Sequence, residues 1–233
     1  MRPPRRATAT ATAAPGAPKR RAKVAAKRAK VLGLEGQAKA LAYVATRRYA
    51  ARNRVMLMLS FKAGLRAMEI AGIERRHVLG SDGEVAEAIY LPDYVCKKGS
   101  GREVPMAPDL RQAIAELLDG ETLDWPMNAP LCLSERALCP RQGDGEDAGP
   151  ILHRMTPHAV SKWFGRIYRA CGLEGASSHS GRRTFITAAA RAVAKVGGSL
   201  RDVQELAGHT SMNTTQAYIQ GDSEAKRRLV ALI

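Results

Sequence analysis

Apolar residues begin to recur at helical spacing near Leu34, and from there the chain reads as mainly helical. In residues 36–49, Ala40, Leu41, Val44 and Tyr49 fall on one helical face. In residues 52–62 the apolar positions Val55, Met56, Leu57, Met58, Leu59 and Phe61 are nearly contiguous, which predicts a buried helix. Gly64 marks a turn, and a short helix resumes over 67–73. The period then changes. Ile89, Leu91 and Val95, followed by Val104 and Met106, flank Lys98-Gly99-Ser100-Gly101, the pattern of a β-hairpin with a glycine-containing turn. Pro108-Asp109 opens a helix with Leu110, Ile114, Leu117 and Leu118 on one side.

Residues 119–150 are the least regular, with a short strand predicted at Leu131-Cys132-Leu133 and a polar loop over 143–149. Thr156-Pro157 is a helix start that leads into Val160, Trp163, Phe164, Ile167 and Tyr168. A further helix is expected from 180 to 195, ending at Gly197-Gly198. Ser199 and Asp202 form a capping-box pattern for a helix that stops at Gly208. Two short helices follow, at 211–219 and 223–232, the second ending in Leu229, Val230, Leu232 and Ile233. The prediction is one α+β domain, mainly helical around a small antiparallel sheet.

Of the 233 residues, 45% are hydrophobic, enough for a core, and the net charge is +15. Residues 1–30 hold ten Lys or Arg and no acid, so removing their +10 leaves only +5 on the rest. A segment so basic and so poor in apolar residues cannot offset its ordering entropy by burial. Residues 1–33 are therefore expected to be a disordered basic tail, and 34–233 the folded domain. Lys19, Arg20, Arg21, Lys23, Lys27, Arg28 and Lys30 in that tail are candidate phosphate contacts, because such a charge balance attracts polyanions, nucleic acid first. The four cysteines (Cys96, Cys132, Cys139 and Cys171) form no CxxC pair and have no His at zinc-finger spacing, which implies a reducing, cytosolic setting and no metal site. No apolar run reaches the roughly 18 residues of a membrane span.

Four stretches carry candidate chemistry, and each has a plainer reading. Arg66 sits at a turn-to-helix junction with Glu69 three residues on; the two make either a surface ion pair or an aimed guanidinium that grips a phosphate. Lys97, in the hairpin with Lys98 and Arg102, is either a solvated edge charge or a side chain that reaches past the sheet to a ligand. His179 and Arg182 lie three apart at a helix start, followed by Arg183. They are a capping histidine and its neighbour, or a proton-transfer group beside a charge stabiliser. Gly208-His209 precedes Tyr218 by a helix-sized step, and that tyrosine is either packing or a covalent nucleophile.

The conjunction, in this order, resembles the tyrosine recombinases: phage integrases, Xer-type resolvases and fimbrial inversion enzymes. Their pattern is an Arg in G-L-R-x-x-E, a hairpin Lys, H-x-x-R, then G-H and a Tyr nine residues after its His. Here it falls on Arg66 with Glu69, Lys97, His179 with Arg182, and Gly208-His209 with Tyr218. Pro105, eight residues after Lys97, selects that lysine over Lys98. The resemblance covers about residues 35–230. Arg183 stands where many relatives carry His or Lys, outside the catalytic set. The family usually has an N-terminal helical domain that closes over DNA, and in this sequence the basic tail stands in that place.

The resemblance implies the family's α+β catalytic fold and a transesterification. Tyr218 is the nucleophile that forms a 3′-phosphotyrosyl bond, and Arg66, Arg182 and His209 act on the non-bridging oxygens. His179 handles the tyrosine proton, Lys97 protonates the leaving 5′-oxygen, and Glu69 supports Arg66. Lys98, Arg102 and Arg183 join the tail as DNA contacts. No cofactor or metal is expected. The implied partners are double-stranded DNA, a homotetramer on paired sites and, as an open question, accessory DNA-bending proteins; a membrane is not among them. Two other readings stand beside this one: a type IB topoisomerase, distinguished by relaxation of supercoils without a specific site, and a basic DNA-binding protein that leaves no covalent adduct.

Overall fold

The computed structural model describes residues 29–120, 125–135 and 153–218, with positions 227, 230 and 231. The tail cations from Lys19 to Arg28, the polar loop at 143–149 and most of the helix expected at 223–232 lie outside the described residues.

The fold is mainly helical, with one two-stranded antiparallel sheet. Its centre is α2 (Ala50–Lys62), whose residues from Val55 to Phe61 are all buried, as the nearly contiguous apolar positions require. Helices α1 (Leu34–Ala45), α4 (Pro108–Asp119) and α6 (Ser180–Ala192) pack around it. The short α3 (Ala67–Gly72) packs on α5 (Pro157–Ala170), whose Val160, Trp163, Phe164, Ile167 and Tyr168 face the same core. α5 starts as its sequence predicts: Pro157 occupies the first turn, and the Thr156 hydroxyl accepts the Ala159 N–H at 3.1 Å.

Three elements differ from their predicted form. α1 stops before Tyr49, which has φ 62° and begins α2, so the helix predicted over 36–49 is cut by a chain reversal. The strand expected at 131–133 reduces to isolated bridges, Glu74 with Pro130 and Leu133 with Arg154, although all three residues are buried. The hairpin has no tight turn. β1 (Ala88–Leu91) and β2 (Arg102–Pro105) pair with Ile89 opposite Val104, and a ten-residue connection joins them. Pro92 has no N–H to continue the ladder, and a 3-10 turn at Asp93–Val95 follows. Asp93 Oδ1 then accepts the Gly101 N–H at 2.7 Å, where a β-carbon would lie 2.8 Å from that same oxygen.

The boundary of the folded domain also shifts. Leu32, placed in the tail by composition, is 2% exposed, and its N–H donates to the Thr184 hydroxyl at 2.8 Å. No helix among the described residues is long and apolar enough to cross a membrane.

A carboxylate lies fully inside this core. Glu69, on α3, is fully buried, and its carboxylate accepts the Arg66 backbone N–H at 2.8 Å, Arg66 Nη1 at 2.7 Å, and Arg102 Nη1 and Nη2 at 3.0 and 3.1 Å. Burial opposes its charge, but the hydrogen bonds and charge of Arg102, then those of Arg66, hold the carboxyl down to about 2. A carboxyl depressed from 4.5 stabilises the fold above that value, by roughly 3 kcal/mol, and the contribution disappears as pH falls towards 2. The stability difference between the wild type and Glu69→Gln should therefore be widest above pH ~5 and narrow steadily on acidification. Denaturant melts across that range would contradict the assignment if the difference stayed constant.

Candidate active site

The site is built around the C-terminus of α7 (Leu200–Ala207). Its start follows the capping box read from the sequence, with the Ser199 N–H and hydroxyl both donating to Asp202 Oδ2, at 2.7 and 3.0 Å. Val203 and Ala207 bury one face of the helix beside Ile186 of α6. Its end is closed by Gly208 at φ 57°, with the His209 N–H on Gln204 O at 3.0 Å and the Gly208 N–H on Glu205 O at 2.8 Å. This closure leaves the next three carbonyls, those of Leu206, Ala207 and Gly208, without helix partners.

Each of those carbonyls accepts from a different arginine. Leu206 O receives Arg102 Nε at 2.9 Å, Ala207 O receives Arg182 Nη2, and Gly208 O receives Arg66 Nη2 at 3.2 Å. The negative end of the helix dipole thus faces three guanidiniums brought from β2, from the first turn of α6 and from the start of α3. Gly208 is required twice over: its left-handed backbone suits glycine, and a β-carbon there would come within 2.9 Å of Arg102 Nη1.

Arg182 is 4% exposed and also donates through Nη1 to Gly64 O at 2.7 Å, which ties α6 to the turn before α3. Burial, and then the charge of Arg66, lower its pKa, while Glu69 opposes the change. His209 Nδ1 lies 2.9 Å from the Thr215 hydroxyl, and its carbonyl accepts Gln204 Nε2 at 2.8 Å. Burial and the charges of Arg182, Arg66 and Arg102 push its imidazole down to about 4, so it is neutral at pH 7. In the tautomer whose Nδ1 accepts from the Thr215 hydroxyl, the ring proton is on Nε2, where it can be donated to an anion.

Tyr218 follows α8 (Met212–Gln216) rather than lying on the helix predicted to 219, in a turn where its N–H donates to Thr215 O at 3.0 Å. Its ring stacks on His209, with centroids 5.7 Å apart and planes at 24°, and packs against the Ile186–Val203–Ala207 cluster. The Arg183 guanidinium carbon lies 5.9 Å from the ring centroid. Arg183 Nε is buried and, among the described residues, has no hydrogen-bond partner.

Of the residues singled out in the sequence, Arg66, Glu69, Arg182, His209 and Tyr218 are linked through these contacts. Lys97 and Lys98 are exposed in the β1–β2 connection, not on a strand, where the Ser100 hydroxyl closes the turn on Lys97 O at 3.0 Å. His179 is exposed at the position before α6. Lys30 is exposed, and its N–H donates to Gly175 O at 3.3 Å. Arg102 departs from expectation: grouped with surface DNA contacts, it has a side chain only 7% exposed, with all three nitrogens on protein acceptors. The sequence carried a signal for this, since Arg102 shares its strand face with buried Val104 and so needs an internal counter-ion. Thr215 and Gln204, both buried, were not anticipated, and nothing in their spacing marks them.

These features can be set beside known proteins. Tyrosine recombinase XerC of Bradyrhizobium diazoefficiens is 30% identical over 178 residues, covering 75% of this chain and 47% of that protein. Tyrosine recombinase XerC of Methylobacterium nodulans is 32% identical over 175 residues, covering 74% and 46%. The chain spans about half the length of the curated relatives it matches. The crystal structure of XerA recombinase shares the fold at a TM-score of 0.63 and 20% identity, over 87% of this chain and 64% of that one. The Tn1549 transposon integrase, in complex with a circular intermediate DNA, does so at 0.63 and 15% identity, over 91% and 68%. The model of the phage integrase family matches residues 34–225, and the chain belongs to that family.

Proposed function

We propose that this chain is the catalytic domain of a site-specific DNA recombinase that cuts and rejoins double-stranded DNA through a phosphotyrosyl intermediate. The observation that carries the reading is the convergence of Arg66, Arg182 and His209 on one helix end, with the Tyr218 ring stacked on the same histidine. Family membership supports it, as do relatives named tyrosine recombinases and a structural neighbour, XerH, bound to its difH substrate.

In the proposed reaction, Tyr218 Oη attacks the scissile phosphorus in line. The P–O5′ bond breaks, and the phosphate remains on the enzyme as a 3′-phosphotyrosyl ester. The phenol proton passes to His179, and Lys97 supplies a proton to the departing 5′-oxygen. Arg66 and Arg182, held by protein carbonyls before substrate arrives, oppose the charge that grows on the non-bridging oxygens, and His209 Nε2 donates to the same oxygens. Attack by a 5′-hydroxyl of a partner strand reverses the steps and rejoins the backbone, which needs no nucleotide cofactor because the ester conserves the bond energy. His179 and Lys97 are exposed, which suits groups that meet the DNA at the rim and pass protons there. Two duplexes and four protomers make the proposed assembly, with accessory bending proteins as optional partners. The basic residues from Lys19 to Lys30, with Lys98, supply non-specific phosphate contacts.

The covalent step is the first test. On a nicked suicide duplex taken from DNA flanking the gene, the wild type should accumulate an adduct and Tyr218→Phe none, with DNA binding retained. An adduct on the Phe variant would remove Tyr218 from the reaction.

Arg66→Lys and Arg182→Lys keep the charge but lose the fork, and each should slow cleavage about 10²–10³-fold while changing DNA affinity much less. Thermal melts of both variants separate this from unfolding, since Arg182 also braces α6. Near-normal cleavage by either folded variant would exclude that arginine.

Lys97→Ala should recover most of its cleavage on a 5′-bridging phosphorothiolate, whose thiolate leaves without a proton. Rescue of Lys98→Ala instead would assign the role to the neighbouring lysine.

A further inference from the structure

Arg102 spends all its side-chain nitrogens on protein acceptors, and those acceptors support residues placed to meet substrate. Its Nη1 and Nη2 each take one oxygen of Glu69, and its Nε holds Leu206 O, two residues before Gly208. A β-carbon on Gly208 would meet it at 2.9 Å, so the turn that carries His209 rests directly on this guanidinium. Arg102 also begins β2, five residues after Lys97, and anchors the base of the connection that carries that lysine.

The chemistry of Glu69 explains why a second guanidinium matters. A buried carboxylate has about four lone-pair sites and draws any single guanidinium into a bidentate pair. Facing Arg66 alone, Glu69 would claim both ends of its fork. With Arg102 on both oxygens, Arg66 gives the carboxylate only Nη1 and its backbone N–H, and Nη2 stays on Gly208 O. Two guanidiniums against one carboxylate also leave the pocket one positive charge richer than an Arg66–Glu69 pair, where a phosphate would arrive.

We propose that Arg102 is a positioning residue for strand cleavage: it shares the Glu69 carboxylate so that Arg66 is aimed at the scissile phosphate, and it fixes the turn that presents His209. This rests on the recombinase reading above.

The test compares Arg102→Met, Arg102→Lys, Glu69→Gln and the double variant Arg102→Met/Glu69→Gln on the suicide duplex, with affinity and melting temperature measured on the same samples. Misdirecting Arg66 by about an ångström should cost about 100-fold in adduct formation for Arg102→Met, while affinity for the duplex changes far less. Arg102→Lys returns a charge without the fork and should give an intermediate rate; it carries the comparison if the Met variant does not fold. Because both residues act on Arg66, the rate loss in the double variant should be no greater than in Arg102→Met alone. Losses that multiply in the double variant, or folded Arg102 variants that cleave at the wild-type rate, would overturn the proposal. A wild-type protein that forms no adduct would instead overturn the recombinase reading, and the role of Arg102 with it.

Discussion

The unsatisfied carbonyls at the end of α7 are the constraint on which the site depends. A helix cannot pair its own last carbonyls, and here the closure through Gly208 satisfies only those of Gln204 and Glu205. The following three would be costly to bury alone. They are met by guanidiniums from residues 66, 102 and 182, so one local feature of backbone chemistry gathers segments that are far apart in the chain. The helix end and the arginine cluster therefore depend on each other.

Such a concentration of positive charge is stable only because part of it is neutralised. Buried guanidiniums are costly without partners, and one buried carboxylate, Glu69, serves two of them directly. The carbonyl dipoles supply the rest without cancelling the charge. The outcome is a fold that tolerates a net positive centre, a neutral His209 at pH 7, and a tyrosine ring laid against that histidine. Where substrate is a phosphodiester, this excess charge is the useful part of the design.

The residues divide by how they are held. Arg66, Arg182 and His209 are fixed by hydrogen bonds to the protein, which suits groups that oppose charge and must not reorganise. Lys97 and His179 are exposed and lie in a turn and at a helix start, which suits the proton carriers proposed above. Tyr218 lies between these groups, packed on one face but placed in a turn beyond the last described helix.

Much of this was legible from residue order. The nearly contiguous apolar positions of 55–61 fix a buried central helix, Thr156-Pro157 and Ser199 with Asp202 fix two helix starts, and Gly208 fixes a helix end, because each acts through neighbours within a few residues. The motif residues could be named because their order along the chain resembles the tyrosine recombinase pattern, although each stretch alone had a plainer reading. What the sequence could not determine depends on contacts across the chain. Whether Arg102 faces DNA or Glu69 turns on how β2 lies against α7, 104 residues from Arg102 to its acceptor at Leu206. The reversal before Tyr49, the collapse of the 131–133 strand into single bridges, and the burial of Leu32 are likewise settled by which surfaces meet. Local propensity sets the elements, and desolvation of charges and carbonyls that only the folded chain brings together decides what each arginine does.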